Sequence, residues 1–343
     1  MKHGAQPGSF EWIQAADLRA VAIVGICKNA GKTTLLNHLL SLRRKGVWGV
    51  LSTGIDGEER DSVFRVPKPA VKLDAGTIFC CDTAGLDKLG SGVQVLEKFP
   101  AGSATRPLWL ARSLVPLQTE ITGPGSVSEQ ITVLQAMRDQ GAEKVLIDGS
   151  LDRKSIAQSE AVNAVVVLIG ASYGSVSSII AEIKRLELLN ALPEEKIGPL
   201  EFAELLGSGQ ILLRKDGGWT ETGLHSLLGS EKTLKKLLEQ GLEALYIPGA
   251  FTDAVYPALR ELLAASRARV IFRHPECLKL GLVRLERLVT ELQPRVLIPF
   301  RIRAWALNAA AVGSQAVDAA DFRSSLRQAL PHLDLPDIRE LKA

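Results

Sequence analysis

One stretch, residues 21–40 (VAIVGICKNAGKTTLLNHLL), constrains the fold of this chain more than any other. Residues 21–24 form an unbroken apolar run rich in β-branched side chains, which is typical of a buried parallel strand. Gly25 ends the run, and a short loop leads to the letters GKTT at 31–34 and to a helix with its leucines on one side. A strand, a tight loop, GKT and a helix together predict a Walker A phosphate-binding loop.

The start of this helix supplies the chemistry that a phosphate needs. Its first amides have no partner within the helix, and the helix dipole adds positive potential at the same place. We expect Lys32 to reach the β- and γ-phosphates of a nucleotide and the Thr33 hydroxyl to ligate Mg2+. The residues expected to contact the nucleotide are Lys28, Asn29, Ala30, Gly31, Lys32, Thr33 and Thr34.

The loop departs from related patterns at two positions. The standard pattern GxxxxGK[ST] begins with glycine, whereas Ile26 occupies that position here and Gly25 comes one residue earlier. We therefore expect a slightly different entry into the loop. Lys28 lies one position too late for the signature lysine of the dimeric SIMIBI-class NTPases, so that role is not assigned to it. The alternative is an ordinary strand, turn and helix with a fortuitous GKT.

Carboxylates follow several predicted strands of the same region. The apolar run at 77–81 ends in the letters DTAG, the arrangement of a Walker B strand and its switch glycine. We expect Asp82 to hold Mg2+ and the Gly85 amide to sense a γ-phosphate. Asp56, in the polar loop after the second strand, is the catalytic candidate for orienting water or substrate. Asp148 is a candidate for the Mg2+ site or a substrate contact. A plain turn residue is the alternative for Asp82 and Asp148, and a solvated loop residue is the alternative for Asp56.

The composition is that of a globular protein, with 46% hydrophobic and 23% charged residues among 343. A net charge of +3 without an arginine-rich block gives no indication of nucleic-acid binding. The N-terminus lacks the apolar core of a signal peptide, and the longest apolar runs have the length of buried strands. The four cysteines lack metal-ligand spacing. We therefore expect a reduced, cytoplasmic protein that does not associate with a membrane.

Strand and helix patterns alternate along the chain, which predicts an α/β fold. After an irregular lead-in at 1–20, residues 21–190 are expected to form a P-loop nucleotide-binding domain with a doubly wound, mostly parallel sheet. Residues 191–343 continue the alternation without a phosphate motif, and we expect them to form a smaller C-terminal α/β domain of unknown role. Within these regions, Ser126 and Glu129 have capping-box spacing, and DGGW at 216–219 predicts a hairpin turn.

A resemblance to a known family rests on the segments KNAGKTTLLNHLL, LSTGIDGEERD, FCCDTAGL, VLIDGSLDRKS and VVVLIGAS. They resemble the P-loop subunit of the reactivases for adenosylcobalamin-dependent lysine aminomutases over most of residues 20–190, and RVLIPFRIRAWALNAAAVGSQAVDAADF is more weakly similar to the end of that family. The resemblance implies an ATPase that works with a second subunit to exchange damaged cobalamin for fresh cofactor on the mutase. It implies Lys32, Thr33 and Asp82 as the nucleotide and Mg2+ set, with Asp56 and Asp148 as further candidates.

Other classes of protein share parts of this pattern. The order GKTT, STG and DG is also similar to dethiobiotin synthetase and related ATP-dependent ligases that act on a small carboxylate or amine. Against a ligase, Asp148-Gly149 continues with Ser-Leu-Asp instead of glycines. A metallochaperone GTPase would need a His and Cys cluster, which the sequence lacks. The sequence has no NKxD-type guanine motif, which favours ATP over GTP, and it leaves a homodimer open.

Overall fold

The computed structural model describes residues 10–53, 70–100, 106–149, 156–239, 241–310 and 318–341 of the chain. The chain divides into two compact units. The first comprises Met1–Ile180 and Ile302–Ala343, and the second comprises Ala181–Arg301. Within the described ranges, no helix is long and apolar enough to cross a membrane.

Strands and helices alternate through both units. In chain order the strands are β1 (Ala20–Gly25), β2 (Trp48–Ser52), β3 (Val71–Leu73), β4 (Ile78–Asp82), β5 (Val93–Phe99), β6 (Leu108–Ser113), β7 (Leu117–Thr119), β8 (Lys144–Asp148), β9 (Ala164–Gly170), β10 (Leu212–Lys215), β11 (Gly218–Glu221), β12 (Ala244–Ile247), β13 (Phe251–Thr252), β14 (Arg269–Phe272), β15 (Leu278–Lys279), β16 (Arg295–Val296) and β17 (Ile302–Asn308). The α-helices are α1 (Lys32–Ser41), α2 (Thr83–Leu89), α3 (Val127–Asp139), α4 (Val176–Asn190), α5 (Pro199–Gly207), α6 (Glu231–Leu238), α7 (Tyr256–Ser266), α8 (Leu282–Leu292) and α9 (Ala319–Ala329).

An eight-stranded, mostly parallel sheet forms the centre of the first unit. Its strand order is β17–β9–β1–β8–β2–β4–β6–β5. Neighbours from β17 to β4 pair in parallel, whereas β6 and β5 pair in antiparallel fashion at one end. Residues 20–24 of β1 are fully buried, as expected for a parallel strand with covered faces. The prediction of an α/β fold with a large, mostly parallel sheet is confirmed.

Two helices of this unit begin as their sequences predict. Helix α1 packs on β1, β3 and β8 and buries the four leucines of its apolar face. At the start of α3, the Ser126 hydroxyl accepts a hydrogen bond from the Glu129 N–H at 3.4 Å and donates one to Glu129 Oε2 at 2.6 Å. This closes the first turn of α3 in the manner of a capping box.

The structure divides the chain differently from the boundary expected at residue 190. Strand β17 pairs with β9 in parallel, from Ile302 opposite Val165 to Asn308 opposite Gly170. The Leu307 N–H then donates to the Pro336 carbonyl, which ties the C-terminal segment to the same sheet. Residues 191–343 therefore do not form one domain, because the second unit is an insertion and the chain returns to the first sheet after it.

A five-stranded sheet of order β11–β10–β12–β14–β16 forms the centre of the second unit. Strands β10 and β11 form the predicted hairpin, closed by Asp216 (φ 51°) and Gly217 (φ 79°) in the left-handed conformation of a type I′ turn. Strands β12, β14 and β16 pair in parallel. The buried core residues around this sheet are Leu205, Leu212, Ala244, Tyr246, Ile271, Leu297 and Ile298.

A buried histidine follows β14 in the second unit. His274 is 4% exposed, and its ring centroid lies 5.1 Å from that of Phe300. Its Nδ1 accepts a hydrogen bond from the Glu276 N–H at 3.2 Å, and within the described residues no partner reaches its Nε2. Burial, with smaller contributions from Lys279 and Arg301, lowers the pKa of His274 to about 3. His274 is therefore neutral in the folded protein at physiological pH.

We expect His274 to make the second unit less stable in acid. The unfolded chain binds a proton at this histidine below about pH 6.5, whereas the folded chain does not until about pH 3. Above about pH 6.5 the histidine is neutral in both states and does not lower the free energy of unfolding. As the pH falls from about 6.5 toward 3, the free energy of unfolding decreases by about 1.4 kcal/mol per pH unit. His274→Asn keeps an acceptor for the Glu276 N–H and removes the titration. Urea unfolding at pH 7.5 and 5.0 should show a smaller pH-dependent loss in the variant, and equal losses would contradict the assignment.

Candidate functional site

The carboxyl ends of the parallel strands meet at one edge of the large sheet. Ile23 of β1 is in register with Asp148 of β8, and Asp148 is in register with Ser52 of β2. Strand β9, on the other side of β1, ends in Gly170 at the same edge. In open α/β sheets, ligands bind outside this edge. The predicted phosphate-binding loop lies here, at the end of β1.

The loop at 26–31 turns from β1 into α1 through two residues in the left-handed region, Asn29 (φ 57°) and Gly31 (φ 96°). Ile26 lies outside that region. Its N–H donates to the Leu168 carbonyl at 3.1 Å, which extends the pairing of β1 with β9 by one residue. Because a position on a strand ladder does not require glycine, the isoleucine fits where the standard pattern has Gly.

Glycine is required at two other positions of the loop because of close packing. A Cβ on Gly25 would lie 2.9 Å from the Cβ of Ala30. A Cβ on Gly31 would lie 2.6 Å from Ile338 Cδ1 and 2.8 Å from Asn308 Nδ2, and the left-handed φ of Gly31 adds strain for any other residue. A side chain at either position would therefore displace Ala30, Asn308 or Ile338.

The end of β9 packs against the loop. A Cβ on Gly170 would lie 2.8 Å from Cys27 Sγ and 3.0 Å from Ala30 Cα. Cys27 donates a 3.8 Å hydrogen bond to the Gly170 carbonyl, and burial raises the pKa of its thiol. Neither Gly170 nor Asn308 was predicted to belong to the site. The sequence shows a small residue at the end of β9 and a polar residue at the end of β17. It does not show that these strands lie beside β1 and β9, and so it could not place the two residues at the loop.

Helix α1 begins at Lys32, directly after Gly31. Lys32 and Thr33 are half-buried, and Thr34 is exposed. The first intrahelical bond runs from the Leu35 N–H to the Gly31 carbonyl at 3.1 Å, so the amides of residues 32–34 precede it and have no partner within the helix. Three amides, the Thr33 hydroxyl and the Lys32 ammonium thus share the positive end of α1.

Asp148 is the carboxylate at the end of the strand next to β1, from which the predicted phosphate-binding loop leads. It is the half-buried last residue of β8, which pairs directly with β1. Its carbonyl accepts hydrogen bonds from the Thr53 N–H at 2.9 Å and from Thr53 Oγ1 at 3.2 Å. The next residue, Gly149, donates to the Ile23 carbonyl at 2.9 Å. The backbone of Asp148 is therefore fixed by hydrogen bonds from both neighbouring strands. Its strand, β8, is one of those against which α1 packs.

Asp82 and Gly85 lie elsewhere along the same edge. Strand β4, which ends in Asp82, is separated from β1 by β8 and β2, a distance of about 14 Å at the usual strand spacing. Asp82 Oδ1 accepts the Gly85 N–H at 2.8 Å as the N-cap of α2, and Oδ2 accepts from Arg106 Nη1 at 3.2 Å. The structure therefore does not bring Asp82 together with Thr33, and it commits the Gly85 amide to a cap instead of a γ-phosphate.

The remaining predicted residues have separate positions. Lys28 is exposed, Asn29 is half-buried, and Ala30 is buried at the base of the loop. Asp56 lies outside the described residues. One further segment, which was not predicted to belong to the site, lies against it. A Cβ on Gly123 would lie only 1.7 Å from the Ser52 carbonyl oxygen. The Gly-Pro-Gly turn before α3 thus packs directly on the carboxyl end of β2.

The residues present fit a nucleotide phosphate with Mg2+. Backbone amides at a helix start and a lysine match phosphate oxygens, and Gly31 lets the backbone approach without a side chain. Among the described residues, no group of three or more His, Cys, Asp or Glu is arranged to hold a metal ion. Mg2+ commonly takes one or two protein oxygens and completes its shell with phosphate oxygens and water. Thr33 and Asp148 supply oxygens of that kind.

Comparison with known proteins provides no assignment for this chain. No protein-family model, no curated protein and no solved structure matches it. A functional conclusion therefore depends on the loop, the strand order and the charged residues at the carboxyl edge of the large sheet.

Proposed function

We propose that this protein is a Mg2+-dependent P-loop NTPase that hydrolyses ATP. The supporting observation is the left-handed turn at Gly31 followed by Lys32 and Thr33, at the end of a central parallel strand whose neighbour ends in Asp148. Amides and an ammonium at one helix start neutralise charge on phosphate oxygens. A carboxylate beside them suits the metal that accompanies a nucleoside triphosphate.

Each residue has a role in this proposal. The amides of the loop and of the first turn of α1 bind the phosphates, and Lys32 neutralises charge that develops on the β- and γ-phosphates. Thr33 and Asp148 would hold Mg2+, and the ion would supply positive charge that stabilises the phosphates during the reaction. Asp56 remains the candidate for orienting the attacking water. Asp82 caps α2 and is not needed for phosphate binding.

The resemblance to the reactivases of cobalamin-dependent lysine aminomutases provides a more specific proposal. In that proposal, ATP hydrolysis drives exchange of damaged cobalamin on an aminomutase, with a second subunit as partner. A dethiobiotin-synthetase-like ligase is the alternative. The two differ in what they need for turnover, because a chaperone-type NTPase hydrolyses ATP without a small substrate and a ligase does not.

Steady-state release of inorganic phosphate tests the proposal. We expect slow, Mg2+-dependent release from ATP by the purified chain, with less from GTP, and faster release after addition of an aminomutase client. Chelation of Mg2+ by EDTA should stop the reaction. Tight ATP binding with turnover only after addition of a small carboxylate would favour a ligase, and absence of ATP binding would contradict the P-loop assignment.

A further inference from the structure

A cavity lies at the opposite edge of the large sheet, at the amino ends of β1, β2 and β8. Its volume is about 360 Å3, and residues from the turn before β1, from the start of β2 and from the end of α3 line it. Strand β1 has six residues, so the cavity lies about 20 Å from the phosphate-binding loop. It is therefore separate from the site described above.

The lining of this cavity is strongly basic. Its lining residues include four cationic ones, Arg19, Lys45, Arg138 and Lys144, and one carboxylate, Glu143. The negative charges of Asp17 and Glu143 both act to raise the pKa of Lys144, so Asp17 is a second carboxylate near the cavity. The net charge of the lining is therefore positive even when both carboxylates are counted. A positive concave surface attracts anions and raises their local concentration.

Lys144 holds the wall of the cavity in place. Its side chain is 5% exposed, and Nζ donates to the Ala15 carbonyl at 2.9 Å and to the Leu18 carbonyl. Nζ also lies 5.8 Å from the ring centroid of Trp48, another lining residue. Burial lowers the pKa of Lys144. This cation is positioned by the fold and does not move freely in solvent.

Arg138 has a buried nitrogen atom that lacks a hydrogen-bond partner among the described residues. Its Nη2 makes a long, 3.4 Å hydrogen bond to the Ala161 carbonyl. Its Nε is buried, and in the described parts of the chain no hydrogen-bond acceptor reaches it. Burial and the nearby charge of Arg19 lower the pKa of Arg138. Two guanidinium groups that repel each other at the wall of a cavity are stabilised by an anion bound between them.

We propose that this cavity binds a small phosphate-bearing ligand, held by Arg19 and Arg138. Arginine forms paired, charge-assisted hydrogen bonds with phosphate oxygens, and Lys45 and Lys144 add positive charge. The volume falls within the range of small-molecule sites and exceeds that of a bare phosphate ion, so the ligand carries an organic group. Ala15, Ala16 and Ala142, which line the cavity, provide an apolar surface for that group.

Calorimetric titration tests this proposal in the Lys32→Ala variant, in which the loop after β1 has lost its ammonium group and should bind phosphates more weakly. Inorganic phosphate, AMP and phosphate-free adenosine are the probes. We expect saturable binding of AMP with a stoichiometry of one, weaker binding of inorganic phosphate and none of adenosine. Arg19→Gln and Arg138→Gln, each added to Lys32→Ala, should weaken AMP binding by at least about tenfold. Lys215→Gln, which removes an exposed positive charge from the second unit, should leave it unchanged.

Three results would overturn the proposal. They are absence of saturable binding of AMP and phosphate up to about 10 mM, equal binding of adenosine and AMP, and equal AMP affinity in both arginine variants and the parent. Arg19 is exposed, so its replacement is not expected to affect folding. Thermal unfolding of all variants checks this. If Arg138→Gln proves unstable, the AMP affinity of the Arg19→Gln variant is the result that tests the proposal.

Discussion

Replacement of Lys32 by alanine is expected to lower the rate of ATP hydrolysis by a factor of at least about 10² while leaving the fold intact. Lys32 is the first residue of α1, and in the proposed site its ammonium neutralises charge on the β- and γ-phosphates. Its removal should therefore weaken phosphate binding and, to a greater extent, the stabilisation of the transition state. Alanine is a strong helix former, so α1 should retain its first turn.

Lys28→Ala is the matched control for this variant. Lys28 lies in the same loop and carries the same charge, but its side chain is exposed and precedes the helix. The proposal assigns only its backbone amide to phosphate binding, and alanine keeps that amide. We expect the Lys28 variant to retain hydrolysis within about threefold of the parent, since an exposed charge is screened by solvent. Phosphate release at saturating Mg2+ and ATP, together with circular dichroism, measures both. Equal losses in the two variants, or normal turnover in Lys32→Ala, would exclude the assigned role of Lys32.

Asp148→Asn is expected to lower hydrolysis by about 10² or more and to raise the Mg2+ concentration needed for half-maximal rate. The substitution keeps the size of the side chain and removes its negative charge. Asp148 lies on β8, directly beside the phosphate-loop strand, and its backbone is fixed by β1 and β2. The loss should therefore come from metal binding and not from a displaced loop.

Asp82→Asn is the companion variant and should behave differently. Asn accepts the Gly85 N–H as well as Asp does in an N-cap, so α2 should still begin at Thr83. Only the ion pair with the exposed Arg106 is lost, which contributes at most about 1 kcal/mol. We expect hydrolysis within about threefold of the parent. If Asp82→Asn abolished hydrolysis and Asp148→Asn did not, the Walker B role expected from the DTAG letters would be restored.

Thermal unfolding separates a chemical effect from a structural one in both aspartate variants. Neither substitution changes the volume of a buried side chain, so we expect the unfolding temperatures to remain within a few degrees of the parent. Titration with Mg2+ at fixed ATP is the more discriminating measurement. Only a metal-binding carboxylate should shift the Mg2+ dependence when it becomes an amide.

Local patterns in the sequence determined the elements around the loop. The strand β1, the turn and helix α1 are contiguous, and their apolar period and glycine positions are all local properties. The same holds for the hairpin at Asp216 and Gly217, where two left-handed residues set the turn. The predicted strand ends at Asp82 and Asp148 also agree with the observed ones. These features depend on interactions among residues that are close in the chain.

Only the tertiary structure decided which strand end lies beside the loop. Asp82 and Asp148 each end an apolar strand, so the local sequence pattern does not distinguish them. The strand order that does distinguish them depends on contacts between residues far apart in sequence. The return of β17 to the first sheet was not predicted for the same reason, since its partner β9 lies more than a hundred residues earlier. The supports of the loop at Gly170 and Asn308 follow from that pairing. Residue patterns thus specified the strand, turn and helix of the candidate loop, and long-range strand pairing determined which carboxylate and which supporting residues lie around it.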